Sequence, residues 1–209
     1  MSLASITLSL ICRIWMICAR KLGATNFDVL INAAAFTNVD ACETERDRAF
    51  LINAEAPGVL AEICNEKDAK LIHFSTDYVF DGEKRAPYTE EDQANPISAY
   101  GESKLAGEKN VLAAEDGHLV VRVSWVFGPD RPSFIDAMIK RAQQDEKIDA
   151  ISDKFSTPIC THDIARYVAA IFRSRRRRRH FAFRKCRQMH FGRNTRNGRW
   201  IAAVMPVFL

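Results

Sequence analysis

Three short apolar runs, each ending in polar or hydroxyl-bearing residues and separated by longer stretches, constrain this chain more than any other feature. They are Asp28-Val29-Leu30-Ile31-Asn32, Leu71-Ile72-His73-Phe74, and His118 to Ser124 with Leu119, Val120, Val121 and Val123. Runs this apolar read as strands covered on both faces, which is the condition of a parallel sheet. The intervening stretches are long enough for crossover helices. One covers residues 39 to 66, with Ala49, Phe50, Ile52, Leu60 and Ile63 as apolar positions, and Asn53 and Pro57 predict a break or a fresh first turn inside it. A second runs from the expected N-cap Ser98 to about Ala114. Ser133 to Gln144 reads as helix and Ile148 to Ile151 as a short strand. Thr161 to Phe172 reads as an amphipathic helix with Ile164, Val168 and Ile171 on one face. The expected class is α/β, a parallel sheet flanked by helices.

Chemistry gathers where these runs end. Tyr100 and Lys104 stand at i and i+4, one turn apart on one helix face. A free phenol has a pKa near ~10, and a neighbouring ammonium favours the phenolate. The expectation is that Lys104 lowers the Tyr100 pKa so that the phenol exchanges a proton during a reaction. Such a pair alone more often marks a solvated helix face. Ser75-Thr76-Asp77-Tyr78 raises its value, because a strand here ends in hydroxyls. A hydroxyl from a strand end and a helical tyrosine and lysine can converge on one carbonyl oxygen at the carboxyl edge of a parallel sheet. The site reads as that of a carbonyl reductase. Small residues Ala33-Ala34-Ala35 after the first strand allow a ligand to approach the backbone, or a tight strand-to-helix turn. Asp81-Gly82, Pro87 and Asn95-Pro96 mark a loop of a length suited to closing over a substrate.

Composition narrows the remaining classes. A chain of 209 residues with 47% hydrophobic content buries one sizeable core. Its six cysteines form no C-x-x-C pair and no His-Cys metal spacing, so reduced thiols and no metal site are expected. The formal charge of +4 is unevenly spread, since Arg173 and Arg175 to Arg179 form a basic block near the end. Such a block can bind nucleic acid or anionic lipid, yet no recognition motif accompanies it. The apolar N-terminal stretch is interrupted by Arg13 and closed by Arg20-Lys21, too short and too charged for a membrane span. It also lacks the regions of a signal peptide, and a cytoplasmic protein is expected.

Four motifs stand in order: Asn32-Ala-Ala-Ala-Phe-Thr-Asn-Val-Asp40, Ser75-Thr-Asp-Tyr-Val-Phe-Asp-Gly82, Tyr100-Gly-Glu-Ser-Lys-Leu-Ala-Gly-Glu108 and Arg122-Val-Ser-Trp-Val-Phe-Gly128. With Asp153-Lys-Phe-Ser-Thr-Pro158 and Asp163-Ile-Ala165 they resemble the extended short-chain dehydrogenase/reductases, and within them the dTDP-4-dehydrorhamnose reductase family, over residues 26 to 172. The resemblance implies a Rossmann-like domain over residues 1 to 172, followed by an atypical basic tail from 173 to 209. It implies hydride transfer from NADPH or NADH to the 4-keto carbon of a dTDP-linked 6-deoxyhexose, in dTDP-rhamnose biosynthesis. On this resemblance Tyr100 is the general acid and Lys104 lowers its pKa and binds the nicotinamide ribose, while Thr76 holds the keto oxygen. Ala34, Ala35, Phe36 and Thr37 match the loop along the cofactor, and Asp77 and Trp125 match positions on the sugar. A core tryptophan at a strand end is an equal reading of Trp125. A homodimer is left open. The same superfamily includes the regulatory beta subunit of methionine adenosyltransferase, so a non-catalytic relative is the alternative.

Both ends depart from the pattern. A dinucleotide fold opens with a strand and a glycine-rich turn whose amides approach the pyrophosphate. Here Gly23 is the one glycine before Gly58, so the N-terminal βα units look incomplete, as does the C-terminal sugar-nucleotide domain. The abrupt arginine block, and the first 22 residues, are expected to reflect a shifted reading frame, which the other two frames of the coding DNA would decide. For the chain itself weak cofactor binding and little turnover are expected.

Overall fold

The computed structural model describes residues 20–114, 117–129, 134–144, 157–173 and 180–182. The expected strand at 148–151, the arginines at 175–179 and the apolar residues 1–19 lie outside them. The chain divides into two units, one of residues 1–122 with 177–182, the other of 123–176 with 183–209.

The first unit is a parallel sheet flanked by helices, with strand order β1-β2-β3-β6. Its strands are β1 (Val29–Asn32), β2 (Lys70–Thr76), β3 (Leu119–Val123) and β6 (His180–Ala182). In the parallel β1–β2 pair, Val29 stands opposite Lys70 and Asn32 opposite His73. The β3–β6 pair is also parallel. A one-residue slip would turn every side chain to the other face, so this register brings Asn32 beside His73.

Between β1 and β2 the backbone is helical in four pieces. These are α1 (Val39–Thr44), α2 (Arg46–Phe50), a π-helical turn (Leu51–Glu55) and α3 (Ala56–Glu66), with Pro57 in the first turn of α3. A proline lacks the N–H that a helix interior needs, and at the start of a helix that donor is unpaired anyway. Asn38 caps α1 by accepting the Ala41 N–H at 3.0 Å. The long helix α4 (Ala99–Ala114) follows β2, and Ser98 Oγ accepts the Gly101 N–H at its start.

The core behind the sheet joins Leu60, Ala61 and Cys64 of α3, Leu71 of β2, Val111 of α4 and Val120 of β3. His118 fastens this region from inside: its Nδ1 accepts the Leu71 N–H at 3.2 Å, so its Nε2–H donates to the Ala61 carbonyl at 3.1 Å. Burial of the leucines and valines among them is worth on the order of 2 kcal/mol each.

The second unit contains the parallel pair β4 (Val126–Phe127) and β5 (Ile159–Cys160), with α5 (Phe134–Gln143) and α6 (Thr161–Arg173). Within α6, Ile164 and Val168 are buried one turn apart. Among the described residues no helix is long and apolar enough to cross a membrane.

Candidate active site

Thr76 is the last residue of β2, and Tyr100 and Lys104 lie in the first two turns of α4. Backbone crowding holds that helix against the strand end. A Cβ on Gly101 would overlap the Tyr78 carbonyl oxygen, and a Cβ on Gly107 would overlap the Asn53 carbonyl oxygen. Only glycine permits such close approach at these two places.

Tyr100 is 9% exposed and packs edge-on against Tyr78, with ring centroids 5.5 Å apart. Burial drives its hydroxyl pKa up to about 12, while a hydrogen bond with Thr76 pulls the other way and Asp77 adds to the rise. The expected lowering by Lys104 is therefore not found. Removal of the phenolate from water dominates, and the lysine points elsewhere. Its Nζ donates to the Phe74 carbonyl at 2.7 Å and lies 3.2 Å from His73 Nε2. Lys104 is 1% exposed, and burial lowers its pKa to about 8 against Glu108, which raises it. His73 is held well below its ordinary value by burial, with the Lys104 charge second.

Asp77 accepts the Thr76 hydroxyl at 3.1 Å, and Thr76 Oγ1 accepts the Tyr78 N–H at 3.2 Å. The neighbouring Ser75 hydroxyl is buried with no hydrogen-bond partner. A buried hydroxyl left unpaired costs on the order of 1–3 kcal/mol. Residues 33–37 leave the end of β1 as a largely exposed loop. Asn53 secures it: its Oδ1 accepts the Phe36 N–H at 2.8 Å and its Nδ2 donates to the Phe36 carbonyl and to Ser103 Oγ, both at 3.0 Å. Ala34, Ala35, Phe36 and Thr37 thus form one backbone segment tied to the helix carrying Tyr100. The sequence marks Asn53 only as a helix interruption, and its pairing with Phe36 carries no local signal.

The loop after β2 is tied to itself. Asp81 accepts the Tyr88 hydroxyl at 2.6 Å and the Asn95 amide at 2.9 Å, and these bonds, Tyr88 first, pull its carboxyl down to about 2. Phe80 stacks on Tyr88 at 4.2 Å, with the Arg122 guanidinium 5.0 Å from the Phe80 ring centre. Arg122 is in turn paired in two-pronged fashion with Glu108 of α4, at 2.9 and 2.6 Å. Trp125 belongs to the second unit, where its φ is +41° and its carbonyl accepts the Ile159 N–H. That left-handed conformation is strained for a tryptophan.

A reduced dinucleotide would find exposed backbone at the loop of residues 33–37, which Asn53 ties to the helix carrying Tyr100. Among the described residues no group of three or more His, Cys, Asp or Glu could hold a metal ion.

A parallel α/β sheet that brings a strand-end hydroxyl to a helical tyrosine and lysine defines an extended short-chain dehydrogenase/reductase. The chain belongs to the RmlD substrate binding domain family, whose model matches residues 16–202. It is 46% identical over 141 residues to dTDP-4-dehydrorhamnose reductase of Mycolicibacterium smegmatis, covering 66% of this chain and 43% of the relative. Among solved structures it is similar to a dTDP-4-dehydrorhamnose reductase of Clostridium acetobutylicum, with TM-score 0.74 and 36% identity, over 78% of this chain and 58% of that one. A second is the Bacillus anthracis dTDP-4-dehydrorhamnose reductase in complex with NADP, with TM-score 0.78 and 29% identity, over 82% and 61% of the two chains. The chain spans about half the length of the curated relatives it matches.

Proposed function

We propose that this chain carries the carbonyl-reducing site of a dTDP-4-keto-6-deoxyhexose reductase that uses NADPH or NADH, the step that yields dTDP-rhamnose. The observation that supports it most is the buried pair Tyr100 and Lys104, one turn apart on α4, with the Lys104 Nζ bonded to the Phe74 carbonyl at the end of β2 that carries Thr76. The dinucleotide, when bound, supplies a hydride to the C4 carbonyl carbon. Tyr100 donates its proton to the carbonyl oxygen as that oxygen becomes an alkoxide. A phenol pushed up to about 12 stays protonated through the neutral range. An alkoxide is more basic still, so the transfer runs downhill once charge develops. Tyr100 places its O–H where that charge appears, which is worth most in a site screened from water; Thr76 is assigned to the same oxygen once its hydroxyl leaves Asp77.

Lys104 and the loop at 33–37 take the nicotinamide ribose side. Asp77 is assigned to the sugar. A nucleotide sugar is water-soluble, which suits a cytoplasmic reaction. The supporting experiment is titration of the 209-residue protein with NADPH and NADH, followed by reaction with the keto sugar. Binding that is weak but saturable, lost in Lys104→Ala, supports the assignment. Binding that Lys104→Ala leaves unchanged overturns it.

A further inference from the structure

The first turn of α4 is held from a part of the chain that the reaction as described does not use. Ala99, the first residue of the helix, donates its N–H to Glu43 Oε1 of α1 at 2.8 Å, across 56 positions of sequence. Three residues on, Arg46 of α2 reaches Glu102 at 2.5 Å, again across 56 positions. Ser98 provides the local cap, its Oγ accepting the Gly101 N–H at 3.2 Å. Tyr100 stands among these contacts. It shares a buried cluster with Ala99, with Cys42 of α1 and with Ala49 of α2, and Phe36 of the loop at 33–37 packs against the same cluster.

The first amides of a helix have no partner within it and point along its axis, out of the N-terminal end. An acceptor placed there holds the first turn against motion along that axis. The contact of Gly101 with the Tyr78 carbonyl is of another kind, since it limits how far the turn can move sideways toward the strand end. These two constraints act at residues 99 and 101, and Tyr100 lies between them. Glu43 and Arg46 do not contribute equally. The Arg46 and Glu102 side chains are 49% and 42% exposed, and an ion pair that open to water carries little. Glu43 bonds instead to the backbone of a residue that is 1% exposed, so its removal takes the partner from the N–H of a buried residue.

We propose that Glu43 is a positioning residue for Tyr100: by holding the Ala99 N–H it fixes the first turn of α4, and with it the place of the tyrosine hydroxyl relative to the end of β2. The proposal rests on the reading of Tyr100 as the proton donor of the reductase site. Glu43 acts only through the helix, since its bond is to backbone. The helix that carries it begins directly after the loop at 33–37, where Asn38 caps it, so α1 reaches from that loop to the start of α4. Lys104 is anchored independently, by its own bond to the Phe74 carbonyl. Loss of Glu43 therefore disturbs the first turn more than the second. A displaced hydroxyl must pass its proton over a longer and less aligned path, and such transfers depend on hydrogen-bond reach. The effect belongs to the chemical step and not to the binding of the dinucleotide.

The test compares the parent protein with three variants. Glu43→Ala removes the acceptor, Glu43→Gln keeps an oxygen for the Ala99 N–H, and Glu45→Ala removes a neighbouring acid whose carboxylate pairs with Arg48 instead. Hydrogen exchange at the Ala99 amide is read together with the ring signals of 13C-labelled Tyr100, assigned by those missing in Tyr100→Phe. In Glu43→Ala the amide is expected to exchange about 10-fold faster or more and the ring signals to shift, with Glu43→Gln restoring both and Glu45→Ala changing neither. In single turnover at saturating NADPH, Glu43→Ala is expected to lower the rate about 5-fold or more while NADPH affinity stays within about twofold of the parent. Ring signals that stay in place while the Ala99 amide exchanges faster overturn the proposal, because Glu43 would then be a cap and nothing more. So does unchanged exchange at Ala99, or a loss of NADPH affinity as large as the loss of rate, since the whole helix with Lys104 would then have moved. If Glu43→Ala does not fold, Glu43→Asp, whose oxygen falls one methylene short, is read in the same way. The exchange and ring readings need neither cofactor nor sugar. A parent that fails to reduce the sugar therefore removes the reductase reading, while these two still decide the role of Glu43.

Discussion

Gly101 lies against the carbonyl oxygen of Tyr78 with no room for a side chain between them. The contact sets how deeply the first turn of α4 enters the site, and therefore where Tyr100 sits. Gly101→Ala forces the helix away from backbone that cannot yield. The expected result is a loss of about 1–3 kcal/mol in urea unfolding, together with weakened coupling of Tyr100 to Thr76. The Tyr100 ring shift in an aromatic proton spectrum reports the second effect.

Asn53 supplies three hydrogen bonds, two to Phe36 and one to Ser103. Asn53→Ala strands the Phe36 N–H and carbonyl and should cost about 2 kcal/mol or more. Hydrogen exchange at the Phe36 amide should accelerate beyond that of β2. Unchanged protection there would show that the loop is held by something else.

Glu108 and Arg122 form the most buried ion pair among the described residues, with side chains 2% and 13% exposed. Removing one member leaves the other charge without a partner. Glu108→Ala should cost about 3 kcal/mol. It should also lower the Lys104 titration further, because Glu108 is what raises it.

Stability should vary with pH through the shifted groups of this core. The folded pKa of His73 lies well below its ordinary 6.5, so as pH falls through that value the unfolded chain takes up a proton that the folded one refuses. Stability therefore drops on acidification below about 6.5. The folded pKa of Lys104, about 8, is below its ordinary 10.5, so the unfolded chain holds the extra proton between them. Stability rises with pH from 8 to about 9, above which Cys64, pushed by burial from 9 up to about 11, offsets it because the unfolded thiol ionises first. The folded pKa of Tyr100, about 12, is above its ordinary 10, so the unfolded chain loses its proton first and stability falls above 10. Urea midpoints across the pH range check the pattern, with His73→Phe expected to remove the loss that begins near 6.5 while leaving the loss from Asp81 at lower pH, and Lys104→Met expected to remove the rise above 8.

Much of this fold is legible in the sequence because its strands are short apolar runs with polar ends, and α4 carries its cap at Ser98. Pro57 likewise marks the first turn of α3 through the donor it lacks. What escapes is whatever depends on register or on distant partners. Asn32 meets His73 only because β1 pairs with β2 in one register, and neither residue announces this locally. The π-helical turn at Leu51–Glu55 lies against Gly107 of α4, a contact between residues far apart in the chain. The Tyr100 pKa goes the opposite way from the Tyr-x-x-x-Lys expectation, since spacing shows that two side chains share a face but not how deeply they are buried or what each is bonded to.

The most direct test of the central claim is single-turnover reduction of a dTDP-4-keto-6-deoxyhexose under a large excess of NADPH, in the parent chain and in Tyr100→Phe. The account predicts slow, sugar-dependent oxidation of NADPH in the parent, with the 4-hydroxy sugar as product. In Tyr100→Phe the rate should fall by roughly 10²-fold or more while the fold is kept, because the proton donor alone has been removed. Equal rates in the two proteins, or no sugar-dependent oxidation in the parent at saturating NADPH, would contradict it.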